Sequence, residues 1–81
     1  MTNEEFIKEY GKRELIDITK STYLRLSILK INKKIGSFRV DNKRKQVQFY
    51  QGKNKFVYDI AKIYSIQDNE LLSLLKNRIG D

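Results

Sequence analysis

The pattern around which the chain is organised is a pair of short runs of β-branched and aromatic residues, separated by polar residues. Residues 38–40 and 47–50 are rich in β-branched and aromatic side chains, which suit the half-buried surface of a pleated sheet. Between the runs, Asp41 and Asn42 tolerate turn geometry because their short side chains bond nearby backbone groups. The pattern predicts a β-hairpin over about residues 37–50, with three consecutive cations at or beside a protruding tip.

The segments before the hairpin are less uniform. Residues 3–10 predict a short helix, because Thr2 or Asn3 can cap its first backbone N–H groups and Gly11 can end it. Residues 14–18 are compatible with either a short helix or a short strand, since five residues are too few for periodicity to decide.

Residues 21–35 support two interpretations. Apolar residues at four-three-four spacing favour a central helix, with Ser21 as its cap and Gly36 as its end; they are Leu24, Ile28, Ile31 and Ile35. Apolar and polar residues alternate over residues 24–28, and this pattern is equally typical of a half-buried strand. We favour the helix because of the length of the segment and the residues that bracket it. A strand would instead give a three-stranded antiparallel meander with helices.

After the hairpin, residues 51–54 predict a second turn, and residues 56–64 have helical spacing, with Phe56 and Ile60 on one face. Residues 67–69 offer caps for a last helix, whose apolar residues are Leu71, Leu72, Leu74, Leu75 and Ile79. These five are spread too widely for one buried stripe, which indicates a homodimer contact through the C-terminal helix. The predicted fold is a single α+β domain over residues 1–81: an N-terminal helix, a central helix, a β-hairpin and a C-terminal helical pair.

Composition excludes several kinds of chemistry. The 81 residues include no Cys, His, Trp or Pro, which removes disulfides, the usual zinc ligand sets and His-based nucleophile arrangements. The four glycines are isolated, so no phosphate-cradling loop occurs. No apolar run resembles a signal peptide or a membrane span. We therefore expect a cytoplasmic protein that is not an enzyme and needs no cofactor or metal.

Positive charge is concentrated in the middle of the chain. The whole sequence has a net charge of +7, but residues 18–57 contain eleven Lys and Arg against one Asp, a net charge of +10. The flanking residues 1–17 and 58–81 have net charges of −2 and −1. A local excess of cations attracts polyanions and raises encounter rates, although lysine-rich loops are also common as simple solvated surface.

The basic middle predicts a nucleic-acid contact surface. Arg44 is the best candidate for a base edge at the hairpin tip because its guanidinium can bind in a bidentate fork, and Tyr50 is a candidate for base stacking, although an aromatic residue on a strand more often lies in the core. The predicted nucleic-acid-binding residues are Arg25, Lys33, Lys34, Arg39, Lys43, Arg44, Lys45, Tyr50, Lys53 and Lys55.

Two segments resemble DNA-binding motifs. Residues 59–72 resemble a helix-turn-helix, with Ala61 inside the first helix and Ser65 near the turn. Asp68 and Glu70 would present carboxylates to phosphate there, which favours a purely structural helical hairpin. Residues 14–51 resemble the turn, recognition helix and wing of small winged-helix proteins such as excisionases and phage repressors. That resemblance implies that Ser21, Thr22, Tyr23 and Arg25 face DNA.

The function expected from the sequence is that of a small basic nucleic-acid-binding accessory or regulatory protein, such as phages and plasmids encode. Duplex DNA is the favoured ligand, contacted at its phosphates through the basic hairpin, with a role in transcription regulation. The alternative is a protein-binding modulator or inhibitor that docks its basic hairpin on an acidic partner protein.

Overall fold

The described part of the chain forms three helices, a three-stranded antiparallel sheet and two further helices, in that order. The computed structural model describes residues 1–79, and the side chains of residues 1–77. The elements are α1 (Asn3–Tyr10), α2 (Lys12–Ile28), α3 (Ile31–Lys34), β1 (Ser37–Asp41), β2 (Gln46–Gln51), β3 (Asn54–Asp59), α4 (Ile60–Tyr64) and α5 (Asp68–Ile79). The predicted α+β fold class is confirmed.

Helix α1 begins and ends at the predicted residues. The Thr2 Oγ1 accepts a hydrogen bond from the Glu5 backbone N–H at 3.2 Å, which satisfies one of the free donors of the first turn. Gly11 has a φ of 100° and separates α1 from α2, a conformation that glycine adopts without a Cβ clash.

Helix α2 joins the undecided residues 14–18 to the first part of the predicted central helix. Its buried side is formed at three- and four-residue spacing by Leu15, Ile18, Thr19, Thr22 and Leu26. The two threonine hydroxyls donate to carbonyls one turn earlier, Thr19 to Leu15 at 2.7 Å and Thr22 to Ile18 at 2.6 Å. Because these hydroxyls are satisfied within the helix, both threonines can lie in the core.

The predicted apolar stripe of the central helix is only half right. Leu24 and Ile28 are 61% and 69% exposed, whereas Ile31 and Ile35 are buried. The reason is that the helix does not continue through residues 21–35. It ends at Ile28, and Lys30 adopts a left-handed conformation with a φ of 56° before the short α3. Residues on the two sides of this break therefore do not share one face.

The sheet has the order β1-β2-β3. The predicted hairpin is confirmed, with Phe38 opposite Phe49 and Val40 opposite Val47. Gly36 precedes β1, and a Cβ at this position would overlap the Tyr50 carbonyl oxygen. Only glycine therefore allows this approach of the two backbones.

Strand β3 replaces part of a predicted helix. Residues 54–59 form a strand, and the helix begins only at Ile60. A two-residue loop, Gly52 and Lys53, joins β2 to β3 at the predicted second turn, and Gly52 has a φ of 58°. The spacing of Phe56 and Ile60 is compatible with a helix, but pairing of β3 with β2 decides the outcome. The third strand of the sheet is therefore β3, which follows the hairpin, and not a strand within residues 21–35.

The hydrophobic core lies between the helices and one face of the sheet. Val47 and Phe49 of the central strand are completely buried there, as are Leu26, Ile31, Ile60, Ile63, Leu71 and Leu75 from the helices. On α5, Leu72 is half-buried and packs against the core, and the side chain of Ile79 lies outside the described residues. Among the described residues, none of the helices combines the length and apolar character needed to cross a bilayer.

Candidate nucleic-acid interface

The side of the sheet opposite the core is open to solvent. Side chains alternate between the two faces of a strand, so the residues of β2 that alternate with the buried Val47 and Phe49 point outward. The register aligns Arg39, Gln48 and Val57 in one outward row, and Ser37, Tyr50 and Lys55 in the next. We call these six residues the outer sheet face. Val57 is 45% exposed, which indicates that the described elements leave this face accessible.

Tyr50 lies on the outer sheet face and not in the core. Its hydroxyl donates a hydrogen bond to the Gln48 Oε1, two residues earlier on the same face. The Lys55 Nζ lies 5.9 Å from the centroid of the Tyr50 ring, and Lys55 is its direct partner on β3. The ring is therefore held in place beside a cation. Gln48 was not among the predicted site residues, although the alternation of Gln48 with Val47 and Phe49 could have placed it outward.

The hairpin turn is organised by Asp41, as predicted. The Asp41 Oδ1 accepts hydrogen bonds from the backbone N–H groups of Arg44 at 2.9 Å and Lys43 at 3.0 Å. The Arg44 N–H is the main reason that the pKa of Asp41 lies below its ordinary value, assisted by the Lys43 N–H and by the charges of Arg44 and Arg39. Lys43 and Arg44 are exposed on this turn.

Lys45, the third cation of the turn, is held more firmly. It adopts a left-handed backbone with a φ of 56°, and its ammonium donates to the Asn42 carbonyl oxygen. The Lys45 carbonyl accepts hydrogen bonds from the Ile60 N–H at 3.0 Å and from the Asn3 Nδ2 at 2.8 Å. The base of the turn is therefore fastened to the start of α1 and of α4, and only Lys43 and Arg44 extend freely from it.

A second group of cations lies at the opposite end of the sheet. Lys53 is exposed in the loop between β2 and β3, and Lys33 and Lys34 are exposed on α3. The Gln51 Nε2 donates to the Ile35 carbonyl oxygen at 3.2 Å, which joins the end of α3 to this end of the sheet. At about 3.4 Å per residue, the two ends of the six-residue strand β2 are roughly 17 Å apart. The outer sheet face, with Arg39 and Lys55, lies between them.

Arg25 does not belong to this surface. Its Nε lies 2.7 Å from the Asp68 Oδ1 in a salt bridge, and its two terminal nitrogens donate to the carbonyl oxygens of Ile63 and Ile66. The side chain is 23% exposed. Its guanidinium thus satisfies carbonyls at the end of α4 and holds the α4–α5 connection against α2. The salt bridge also occupies the acidic start of α5.

The structure does not support a recognition helix in either of the two segments that resemble DNA-binding motifs. In the segment that resembles a helix-turn-helix, Asp68 is engaged by Arg25. In the segment that resembles a winged helix, α2 runs without interruption from Lys12 to Ile28, so no turn precedes Ser21. Thr22, which that resemblance would direct towards DNA, is buried.

Comparisons with protein-family models, with curated proteins and with solved structures found no match for this chain. A functional assignment therefore depends on the chemistry of the surfaces described above. Within the described residues, no group of three or more acidic side chains is arranged to hold a metal ion.

Proposed function

We propose that the protein is a small nucleic-acid-binding accessory or regulatory protein that contacts phosphates through the outer sheet face and the cations at both ends of the sheet. The observation that supports this most directly is an exposed sheet surface that carries Arg39 and Lys55 and is continued by Lys43 and Arg44 at one end and by Lys53 at the other. A surface of this kind suits a ligand with regularly spaced negative charges.

The cations of the proposed surface also favour a polyanionic ligand. The described side chains form one salt bridge, between Arg25 and Asp68, and on the proposed surface the charge of Asp41 acts on Arg39 and Arg44 but forms no salt bridge with either. Lys and Arg that neutralise phosphates release condensed counterions, and this release drives binding at low salt. The net charge of +10 over residues 18–57 therefore favours association with a polyanion.

The test is the salt dependence of binding to a labelled oligonucleotide, measured by fluorescence anisotropy with duplex and single-stranded DNA. If about five to seven phosphates are neutralised, affinity should fall roughly a thousandfold between 50 and 200 mM salt. The double variant Lys43→Gln, Arg44→Gln should flatten the logarithmic slope by about two.

Lys12→Gln, Arg13→Gln is the matched control, because it removes the same two types of cation from exposed positions on α2 outside the proposed surface. Equal effects of the two double variants would show that only net charge matters. Failure of the parent protein to bind either form of DNA at 50 mM salt would contradict the proposal and favour the alternative, an acidic protein partner.

A further inference from the structure

We propose that Tyr50 is a stacking platform for an unpaired base, so that the ligand is a single-stranded stretch of nucleic acid. This inference rests on the proposed nucleic-acid-binding function and adds the form of the ligand. It changes the expectation from sequence, which favoured duplex DNA contacted by the hairpin turn.

The first support is the placement of the Tyr50 ring. It stands on the solvent side of the central strand, and its hydroxyl is fixed by the hydrogen bond to Gln48, so little side-chain freedom remains to be lost on binding. Its direct neighbour on β1 is Ser37, an exposed and small residue. The side of the ring towards β1 is therefore not covered by a large side chain.

The second support is the position of the cations around the ring. Lys55 is directly opposite Tyr50 on β3, and Arg39 is diagonal to it on β1, one row away. Direct and diagonal cross-strand neighbours have Cβ atoms about 5 Å and about 7 Å apart. The long side chains of both residues can therefore reach phosphates on either side of a base stacked on the ring. Lys55 is exposed and can move from the ring to a phosphate.

Carboxylates limit the site to one half of the sheet. Asp41 and Asp59 lie in the outward row at the end nearest the turn, on either side of Gln46. Phosphate is disfavoured beside them. The half that contains Tyr50 has no carboxylate among its described outward residues and continues to Lys53, so the stacked base and the phosphates next to it are expected to lie there.

Stacking on the Tyr50 ring requires an unpaired base. Bases in a duplex are already stacked and paired, so their flat faces cannot reach an aromatic ring on the surface of a sheet, whereas an unpaired base can stack on it. The Gln48 Oε1 is occupied by the Tyr50 hydroxyl, which leaves the Gln48 amide N–H groups to donate to an acceptor on the base edge.

The experiment measures anisotropy with 12-nucleotide oligo-dU, oligo-U and a 12-base-pair DNA duplex at one salt concentration. Tyr50→Leu should weaken binding of the single strands by about tenfold or more, and should change duplex binding by less than about twofold since it leaves every cation in place. Tyr50→Phe keeps the ring and should stay within about twofold of the parent protein.

Tyr10→Leu is the matched control, because Tyr10 is 54% exposed on α1, away from the sheet. Circular dichroism of each variant confirms that it is folded, and if Tyr50→Leu is not, Tyr50→Thr takes its place, because threonine also removes the ring and suits a strand. The difference in affinity between oligo-dU and oligo-U distinguishes DNA from RNA as the ligand, since these two strands differ only in the 2′-hydroxyl and preference for oligo-U indicates a contact to it.

The outcomes separate this inference from the proposed function. Duplex binding that equals or exceeds single-strand binding, with no loss in Tyr50→Leu, overturns the stacking platform and leaves phosphate binding intact. Absence of binding to all three oligonucleotides overturns both.

Discussion

Asn3 joins three parts of the fold, and its replacement should destabilise the protein far more than its position near the N-terminus suggests. Its Nδ2 donates to the Lys45 carbonyl at 2.8 Å, and its Oδ1 accepts from the Ala61 N–H at 3.0 Å. In return, the Asp59 Oδ2 accepts from the Asn3 backbone N–H at 3.1 Å. The Asn3 side chain, which belongs to α1, thus caps α4 and also binds the base of the hairpin turn.

The size of the effect follows from these bonds. In Asn3→Ala, the Lys45 carbonyl keeps the Ile60 N–H as a donor, so that loss costs about 1 kcal/mol. The Ala61 N–H is left without its acceptor, and Ala61 is only 1% exposed, which costs about 1–2 kcal/mol more. The total of about 2–3 kcal/mol is a large part of the roughly 4–12 kcal/mol expected for a domain of this size.

Urea unfolding followed by far-UV circular dichroism measures the change. With a slope of about 1 kcal/mol per molar urea, the midpoint of Asn3→Ala should fall by about 2–3 M. Asn3→Asp should also be destabilising, because aspartate keeps an acceptor for the Ala61 N–H but cannot donate to the Lys45 carbonyl and adds a negative charge beside Asp59. If Asn3 were merely an exposed residue at the start of α1, the aspartate would instead be neutral or stabilising there.

Asn32→Ala is the matched control, since Asn32 is exposed on α3 and should change the free energy of unfolding by less than about 0.5 kcal/mol. An Asn3→Ala variant as stable as this control, or an Asn3→Asp variant more stable than the parent, would refute the role assigned to the Asn3 hydrogen bonds.

Three further predictions concern stability. Arg25→Lys keeps the charge but loses the planar fork that binds two carbonyls, so urea unfolding should show a loss of about 1–3 kcal/mol; an unchanged midpoint would contradict this. Gly36→Ala should lower the melting temperature by several degrees, because its Cβ would meet the Tyr50 carbonyl; an unchanged value would show that the strands can separate there without cost. The pKa of Asp41 is lowered chiefly by the Arg44 N–H, so stability from its carboxylate is complete above the unfolded pKa of about 3.9 and is lost as pH falls through the lower folded value. The variant Asp41→Asn should lack that part of the acid dependence in urea titrations below about pH 4, and identical acid profiles would refute the assignment.

Part of the candidate site could be predicted from sequence because it depends on local chemistry. The turn residues Asp41 and Asn42 and the β-rich runs on either side identified the hairpin, and the register then follows from alternation. The sequence identified the cations as one group, but it could not show which of them lie on the same surface. Arg25 is separated from the others by bonds to residues about forty positions later, and no local pattern contains that information.

The sequence by itself determined the α+β class, the hairpin, the caps of α1 and the basic character of the middle of the chain, because propensity, turn chemistry and charge act over a few residues. The tertiary structure alone decided that residues 54–59 form a strand, that the core side of α2 contains Thr19 and Thr22 in place of Leu24 and Ile28, and that Tyr50 lies half-buried on the outer sheet face and not in the core. Pairing with β2 adds hydrogen bonds and burial that outweigh a local helical preference of at most a few tenths of a kcal/mol per residue.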